Sequence, residues 1–306
     1  MKLSRSGLII HGDPYYSPKI GISPFDLSSQ RIFEGPNQSG LKVYQSLFSG
    51  VEWSFTESGK GAIEIALSSL DLKTEDEVWI QTSSGNSYVS RCVTEKISQF
   101  CKWSLELSEN TRLLYFIHDF GIDGSARLAG LREGDLPVIE DAAYGLLTAV
   151  ESNWDFARSD YILFSFPKVF EMQFGGLLCG SVKRNLNDNE LIDIVEKNAC
   201  HWILQKDEIF SRRRVNFDLI KKEFASQGFL NSYELQDYEN PGVFMFDVGQ
   251  QLPLDSLKIF FNMHGCESSV FYGRNSFFIP THQNLDLHTI DYMGDLLRFY
   301  LEDMHD

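Results

Sequence analysis

The sequence predicts an α/β protein with a large domain on a mainly parallel sheet and a smaller α+β domain after it. Short apolar runs alternate with helix-like segments from about residue 58 to 185. Strands joined by helical crossovers pair in parallel and are covered on both faces. After Pro241 the pattern changes to apolar runs, a loop and one closing helix. A chain of 306 residues has room for two such domains, which we place at 1–185 and 186–306.

Composition narrows the possible partners and the compartment. The net charge of −16 argues against a nucleic-acid partner, because binding phosphates requires a basic face. No stretch approaches the ~20 apolar residues of a membrane helix, so we expect no membrane partner. The first apolar run is too short for a signal peptide. Five scattered cysteines without metal-type spacing favour reduced thiols, no metal site and a cytoplasmic protein.

Each predicted element follows from its residue spacing. Ala62, Ile65 and Ala66 recur at helical spacing after Ser58, whereas short uninterrupted apolar runs between polar turns indicate buried strands. Residues 1–50 hold most of the turn formers and are predicted to form an irregular arm. The remaining predictions, in chain order, are a helix at 58–70, a strand at 77–81, a helix at 88–100, a strand at 113–117, a helix at 123–133, strands at 136–140 and 161–166, a strand after 175–176, a helical tract at 188–227 and a final helix at 286–303.

Two of the predicted strands deliver polar side chains at their carboxyl ends. The run 136–140 leads into Asp141, and the run 161–166 brings Ser165 and then Lys168, which lies 27 residues after Asp141. Ligands of open α/β sheets bind outside the carboxyl ends of the strands. An amine and a carboxylate there suit pyridoxal phosphate, whose aldehyde bonds to a lysine and whose pyridine nitrogen pairs with an acid. Lys168 and Asp141 are therefore the predicted catalytic pair.

A phosphate site is predicted at the start of the helix at 58–70. Ser58, Gly59 and Lys60 open that helix, and glycines there expose backbone N–H groups at the positive end of the helix dipole. The segment lacks the dinucleotide-binding and P-loop patterns. Ser165 could add a hydroxyl to the same phosphate. The alternative is that Ser58 only caps the helix and that the glycines provide flexibility.

Two further segments are predicted to reach the same edge of the sheet. The loop that follows the strand at 77–81 contains Asn86 and Tyr88, and an aromatic ring there could stack on a flat cofactor. His118 follows the strand at 113–117 and is a candidate neighbour of the ring. The alternatives are ordinary helix packing for Tyr88 and a hydrogen-bonded structural role for His118.

The order of these segments resembles the DegT/StrS family of sugar-nucleotide aminotransferases, which are fold-type I enzymes. The similar segments are Ser58–Ile63 with Glu77-Val78 (the family's phosphate segment and "DEV" strand), Ile117–Gly121 ("VHLFG"), Val138–Ala143 ("VIEDAAQ"), Ser165–Lys168 followed by Gly175-Gly176 ("SFRK" and the glycine pair), and Phe278–His282 ("LPxH"). The similarity covers roughly residues 55–185 and, more thinly, the tail. It implies a seven-stranded, mainly parallel sheet and a homodimer with shared active sites.

The resemblance also implies an activity and a role for each residue. Lys168 would bond to the cofactor and shuttle protons, Asp141 would pair with the pyridine nitrogen, and Gly59, Lys60 and Ser165 would hold the phosphate. The cofactor would be pyridoxal 5′-phosphate. The substrates would be glutamate as the small-molecule amino donor and a keto sugar, in this family attached to a nucleotide, as the acceptor.

The chain departs from the family pattern at two places. Tyr144 stands where the family usually has a glutamine near the ring hydroxyl, and the partner-site segment "GYNYR" has no counterpart. Two alternatives therefore stay open beside an aminotransferase. One is a dehydratase or lyase acting on a modified sugar, and the other is a non-catalytic member that binds a ligand or partner. Members that dehydrate sugars often lack the lysine, whereas Lys168 is present.

Overall fold

A computed structural model describes residues 2–3, 5, 9–13, 19–26, 33, 35–132, 134–181, 190–249 and 252–303. The strands in this part of the chain are β1 (Lys2–Leu3), β2 (Ile9–Ile10), β3 (Trp53–Thr56), β4 (Glu77–Thr82), β5 (Lys102–Ser104), β6 (Thr111–Ile117), β7 (Val138–Asp141), β8 (Tyr161–Ser165), β9 (Gly176–Cys179), β10 (Val243–Asp247), β11 (Ser269–Phe271) and β12 (Ser276–Pro280). The α-helices are α1 (Gln38–Leu47), α2 (Gly59–Ser68), α3 (Arg91–Ile97), α4 (Ser125–Leu131), α5 (Leu146–Glu151), α6 (Glu190–Trp202), α7 (Lys206–Ala225), α8 (Leu254–Met263) and α9 (Leu287–Asp303).

A seven-stranded sheet forms the centre of the first compact unit. Its strand order is β3-β9-β8-β7-β6-β4-β5. Strand β9 pairs antiparallel with both β3 and β8, and every other pair in the sheet is parallel. Six strands therefore point the same way and place their carboxyl ends at one edge. The predicted mainly parallel α/β architecture is confirmed.

Apolar side chains cover both faces of this sheet because successive strand residues point to opposite sides. On one face the strands pack against helices α2 and α3, with a core that includes Ile63, Val78, Ile80, Val93, Tyr115, Ile139 and Leu163. On the other face the core includes Trp79, Leu114, Phe116, Leu128 and Val138. Burial on both faces explains why these strands are continuous apolar runs in the sequence.

The second compact unit is a smaller α+β body. Its antiparallel sheet has the order β10-β12-β11. An apolar core joins these strands to α7 and α8 through Phe217, Phe224, Phe244, Phe246, Phe261 and Phe277, and to α9 through Met293, Leu296 and Leu297. No helix in the described ranges is both long and apolar enough to cross a membrane.

The boundaries of the two compact units differ from the predicted domain boundary at residue 185. The sheet unit comprises 25–207 and 237–241, so it includes α6. The second unit comprises 1–24, 208–236 and 242–306. The domains proposed at 1–185 and 186–306 stay a prediction.

The predicted irregular arm over residues 1–50 is wrong for its last part, where α1 forms. The Asn37 side chain accepts a hydrogen bond from the backbone N–H of Gly40 at 3.1 Å, and Tyr44 is fully buried. The turn formers just before α1 are therefore a helix start, with Asn37 as its cap. The earlier turn former Pro14 lies outside the described residues. The prediction also missed β1, β2, β3, β5, α5, α8 and β11.

The helix predicted at 88–100 is shorter than expected, because α3 begins only at Arg91. The preceding residues form a loop with its own hydrogen bonds, in which the Asn86 side chain accepts from the backbone N–H of Ser87 at 2.7 Å. Asparagine side chains commonly compete with helix formation in this way.

Gly40 provides a test of the packing of α1 against α6. A Cβ on Gly40 would lie 1.8 Å from the carbonyl oxygen of Cys200. We expect Gly40→Ala to lower the free energy of unfolding by about 1–3 kcal/mol or more, measured by urea denaturation, because the backbone must move.

The matched control for this substitution is Gly130→Ala in α4. Gly130 is exposed, and a Cβ there would meet nothing within 4 Å. That variant should gain about 0.5–1 kcal/mol from helix propensity. Equal effects of the two substitutions would contradict the packing described here.

Candidate active site

The strand register brings the predicted polar side chains to one edge of the sheet. Asp141 at the end of β7 is paired with Ile117 of β6 on one side and with Leu163 of β8 on the other. Two residues beyond Leu163, Ser165 is paired with Gly176 at the start of β9. Asp141 and Ser165 therefore lie on adjacent strands at the same edge.

The helix α2 begins at this edge, against the end of β8. The Ser58 hydroxyl caps α2 by accepting a hydrogen bond from the backbone N–H of Gly61 at 3.0 Å. A Cβ on Gly59 would lie 2.9 Å from the Cβ of Ser165, and a Cβ on Gly176 would lie 3.0 Å from the backbone nitrogen of Gly59. The two glycines thus allow the helix start and the Ser165 side chain to approach closely.

This arrangement fits a phosphate group. The first backbone N–H groups of α2 and the positive end of its dipole favour an anion, and the Ser165 hydroxyl lies beside them. The structure therefore brings Ser58, Gly59 and Ser165 together, as expected for a phosphate site. Lys60 is exposed in the first turn of α2, where its ammonium adds positive charge at the surface.

Asp141 is a buried carboxylate with two hydrogen-bond donors. The Tyr115 hydroxyl donates to Oδ2 at 2.8 Å, and the backbone N–H of Ala143 donates to Oδ1 at 3.0 Å. Burial raises the pKa of Asp141, against the opposing effect of the Tyr115 hydrogen bond. A cation beside the carboxylate, such as a protonated pyridine nitrogen, would favour its ionised form. Sequence reasoning missed Tyr115, because a tyrosine within an apolar strand gives no signal of its partner.

Lys168 lies close to the residues that follow Asp141. It ends a short 3-10 turn, Phe166–Lys168, directly after β8, and it is half-buried. Its ammonium lies 5.0 Å from the centroid of the Tyr144 ring. Because Tyr144 is three residues beyond Asp141, the predicted lysine, the predicted acid and Tyr144 share this edge of the sheet.

His118 is placed differently from the prediction that it neighbours a cofactor ring. Its Nδ1 accepts a hydrogen bond from the backbone N–H of Gly124 at 3.1 Å, so Nε2 carries the proton and donates to Glu140 at 2.8 Å. Glu140 and Asp141 are successive residues of β7 and point to opposite faces of the sheet. The His118 side chain therefore lies on the face opposite the Asp141 carboxylate, which supports the alternative that His118 has a hydrogen-bonded structural role.

The Glu140 carboxylate is the centre of a buried ionic cluster on that opposite face. The Arg158 guanidinium donates to both of its oxygens, with Nε at 2.9 and 3.1 Å, and the guanidinium carbon lies 4.1 Å from the centroid of the Trp154 ring. Burial alone would raise the pKa of Glu140, but the hydrogen bonds from His118 and Arg158 lower it to about 2. Beyond the adjacent pair of carboxylates, no pattern in the sequence indicates this cluster.

The loop that holds Asn86 and Tyr88 is fastened at the same edge by a carboxylate that the sequence analysis did not select. Asp119 Oδ2 accepts hydrogen bonds from the Ser83 hydroxyl at 3.1 Å and from the backbone N–H of Ser84 at 2.9 Å. Burial raises the pKa of Asp119. Asn86 and Tyr88 are half-buried in this loop, and their roles toward a cofactor stay predictions.

Solved structures share this fold, whereas comparisons of the sequence find no relative. No protein-family model matches the chain, and no curated protein sequence does. A Streptococcus pneumoniae protein assigned as a sugar aminotransferase, Spr1654, in its PLP form, has a TM-score of 0.67 at 15% identity over 96% of this chain and 99% of its own. A DegT/DnrJ/EryC1/StrS aminotransferase from Brucella abortus has a TM-score of 0.65 at 14% identity over 90% and 92%. A GDP-4-keto-6-deoxymannose-3-dehydratase has a TM-score of 0.64 at 12% identity over 91% and 100%.

These similarities establish the fold. The chain has the architecture seen in structures of sugar aminotransferases with pyridoxal phosphate or its amine form, and it spans almost the full length of those structures. At identities of 12–16%, the ligands and substrates of those proteins do not carry over to this chain.

The Glu140 cluster predicts a specific dependence of stability on pH. Because the pKa of Glu140 is lowered on folding, its contribution is present above the unfolded pKa and is lost as pH falls toward about 2. We expect Glu140→Gln to lower the free energy of unfolding at pH 7 by about 3 kcal/mol, with the difference from wild type shrinking between pH 5 and 2. Urea denaturation across this pH range measures both effects.

A suitable control is Glu95→Gln, which removes an exposed i,i+4 pair with Arg91. Such surface pairs contribute little, so this variant should stay within about 0.5 kcal/mol of wild type at every pH. A constant difference between Glu140→Gln and wild type from pH 5 to 2 would contradict the assignment.

Proposed function

We propose that this chain is a pyridoxal-phosphate-dependent aminotransferase that transfers an amino group from glutamate to a keto sugar. One observation carries the proposal. A buried acid, Asp141, and a lysine, Lys168, lie at the same sheet edge as a glycine-lined helix start, where Gly59 meets Ser165. An acid, an amine and an anion site at one edge match the three functional groups of this cofactor.

Each residue has a distinct task in this proposal. When bound, pyridoxal phosphate supplies an aldehyde that bonds to amines and a ring that withdraws electrons. The α2 start and Ser165 bind the phosphate, and Asp141 keeps a proton on the ring nitrogen. Tyr115 and Ala143 orient the Asp141 carboxylate through their hydrogen bonds. Lys168 provides the amine, and once released it takes the proton from the substrate carbon and returns it.

The keto-sugar acceptor is the part of the proposal that rests on similarity. Most segments of resemblance to DegT/StrS enzymes lie in the sheet unit that builds the site, and the structures with this fold include three forms of one protein, Spr1654, that carries the name sugar aminotransferase. Glutamate as the amino donor rests on the same resemblance.

We also infer a cytoplasmic homodimer. All five cysteines are free, and burial raises the pKa of Cys101 to about 11 and of Cys200 to about 12, which keeps both thiols protonated. Protonated, unpaired thiols suit a reducing compartment. The dimer rests on the resemblance to a family whose members share active sites between subunits.

A sugar dehydratase is the second candidate, because a dehydratase structure shares this fold over 91% of the chain. Lys168 favours the aminotransferase, since by resemblance the dehydrating members often lack this lysine. A third reading, a non-catalytic member, is motivated by Tyr144 and by the missing partner-site segment.

Cofactor loading distinguishes these candidates. The purified protein mixed with pyridoxal phosphate should develop a visible absorption band, and borohydride should then fix the cofactor to the peptide containing Lys168. Glutamate should convert the bound cofactor to its amine form and abolish the band. Absorption spectra and peptide mass spectrometry give the two readings.

Two variants complete this experiment. Lys168→Ala should show no covalent fixation while its circular dichroism stays unchanged, whereas the exposed Lys42 can be replaced by Ala without effect. A bound cofactor that does not respond to glutamate favours the lyase or the non-catalytic reading. Failure to bind the cofactor at all would refute the enzyme proposal.

Asp141→Asn tests the predicted acid. The variant should still bind the cofactor, but conversion by glutamate should slow by about 100-fold or more, because the amide provides no counter-charge for the ring nitrogen. Stopped-flow absorbance measures this half-reaction. Tyr115→Phe, which removes only one hydrogen bond to the acid, should cause a much smaller loss. A fully active Asp141→Asn protein would exclude the role given to this carboxylate.

A further inference from the structure

The Lys168 ammonium lies over the ring of Tyr144. The 5.0 Å distance from Nζ to the ring centroid is within the range of about 6 Å in which an aromatic face attracts a cation. By the resemblance in sequence, Tyr144 stands where the DegT/StrS family usually has a glutamine, so this side chain offers a π face instead of a polar amide.

Two successive residues of the turn after β6 hold the Tyr144 ring and backbone in place. The Phe120 ring meets the Tyr144 ring edge-to-face, with centroids 5.6 Å apart. A Cβ on Gly121 would lie 2.8 Å from the Tyr144 carbonyl oxygen, so the two backbones touch. Phe120 is buried and has a φ of 53°, a left-handed conformation that costs free energy in a bulky residue.

Hydrogen bonds on both sides keep this turn in its strained conformation. Asp119 Oδ2 binds Ser83 and Ser84, as described above. On the other side the Thr148 hydroxyl donates to the Gly121 carbonyl oxygen at 2.7 Å. The Tyr144 ring is thus a preorganised surface, built before any ligand binds.

We propose that Tyr144 is a positioning residue that binds the released, protonated Lys168 and so favours transfer of the amino group from donor to cofactor. The inference rests on the proposed function, in which Lys168 alternates between a covalent bond to the cofactor and a released side chain. The released amine first moves the substrate proton as a base; once the amino group has been transferred, it takes a proton from solvent and becomes an ammonium. A surface that stabilises only the free ammonium shifts the equilibrium toward the state in which Lys168 is released. The shift equals the interaction of the ammonium with the ring, about 2- to 30-fold for a cation–π contact.

The first test measures the contact in the protein without cofactor. In protein labelled with [ε-13C]lysine, the ε-methylene signal of Lys168, assigned with Lys168→Ala, should show an upfield ring-current shift. Tyr144→Phe should keep the shift, because it keeps the ring and removes only the hydroxyl. Tyr144→Leu should abolish it. A shift that persists in Tyr144→Leu would overturn the proposal.

The second test measures the consequence. Protein loaded with pyridoxal phosphate is equilibrated with mixtures of glutamate and its keto acid, and absorbance gives the ratio of the amine form to the Lys168-bound form. Tyr144→Leu should lower this ratio by about 2- to 30-fold, while Tyr144→Phe stays within about twofold of wild type. An unchanged ratio in Tyr144→Leu would overturn the proposal.

A second lysine–tyrosine pair provides the matched control. Lys258 lies 5.9 Å from the centroid of the Tyr272 ring in the second compact unit, where Tyr272 is exposed. Tyr272→Leu should change neither the Lys168 signal nor the ratio. If wild-type protein forms no visible band, the proposed function fails and this role fails with it. A normal band with a ratio unaffected by Tyr144→Leu refutes the role of Tyr144 alone.

Discussion

The parallel pairing of β7 with β8, continued into the turns beyond both strands, is the constraint on which the candidate site depends. The backbone N–H of Ala142 donates to the Leu163 carbonyl at 3.0 Å, and that of Ser165 donates to the Ala143 carbonyl at 3.2 Å. These bonds hold the carboxyl ends of the two strands in register past Asp141. A shift of one residue in either strand would turn its side chains to the other face and separate the acid from the edge where Ser165 and the lysine emerge.

Register also explains how two adjacent carboxylates come to have opposite properties. Burial is the largest influence on both Glu140 and Asp141. Arg158 and the Nε2–H of His118 donate to Glu140, so its pKa falls to about 2. The two described donors to Asp141, Tyr115 and the Ala143 backbone, are neutral, and burial raises its pKa. The ionised form of Glu140 is thus stabilised by its neighbours on one face, whereas a cation beside Asp141 on the other face would be needed to stabilise its ionised form in the same way. This difference separates a structural acid from one suited to a ligand.

The sequence was informative about the sheet and its polar edge because buried parallel strands are continuous apolar runs and their ends are marked by polar residues. Asp141, Ser165 and Gly59 could be predicted to lie at one edge from that pattern. The role of His118 could not be predicted, because its partner depends on which face of β7 each of the two carboxylates occupies. A shift of one residue in that strand would exchange the faces of Glu140 and Asp141. Helix α1 was missed because its cap and the preceding glycine and proline also indicate turns. Its ten residues carry a close approach at Gly40 that only tertiary packing reveals.

The turn after β6, at the carboxyl edge of the sheet, depends on residues from other parts of the chain. The Gly121 carbonyl accepts from Thr148, whose hydroxyl oxygen in turn accepts from the backbone N–H of Asn240 at 3.0 Å. A segment near residue 240 therefore supports the turn whose Phe120 packs against Tyr144. Because Thr148 is fully buried, replacing its hydroxyl would leave a carbonyl and an N–H without their partner, at a cost of about 1–3 kcal/mol for each unsatisfied group. The surface beside Lys168 is thus shaped by polar contacts between residues distant in sequence. Asn240 and Thr148 support the turn, and the turn positions the Tyr144 ring through Phe120.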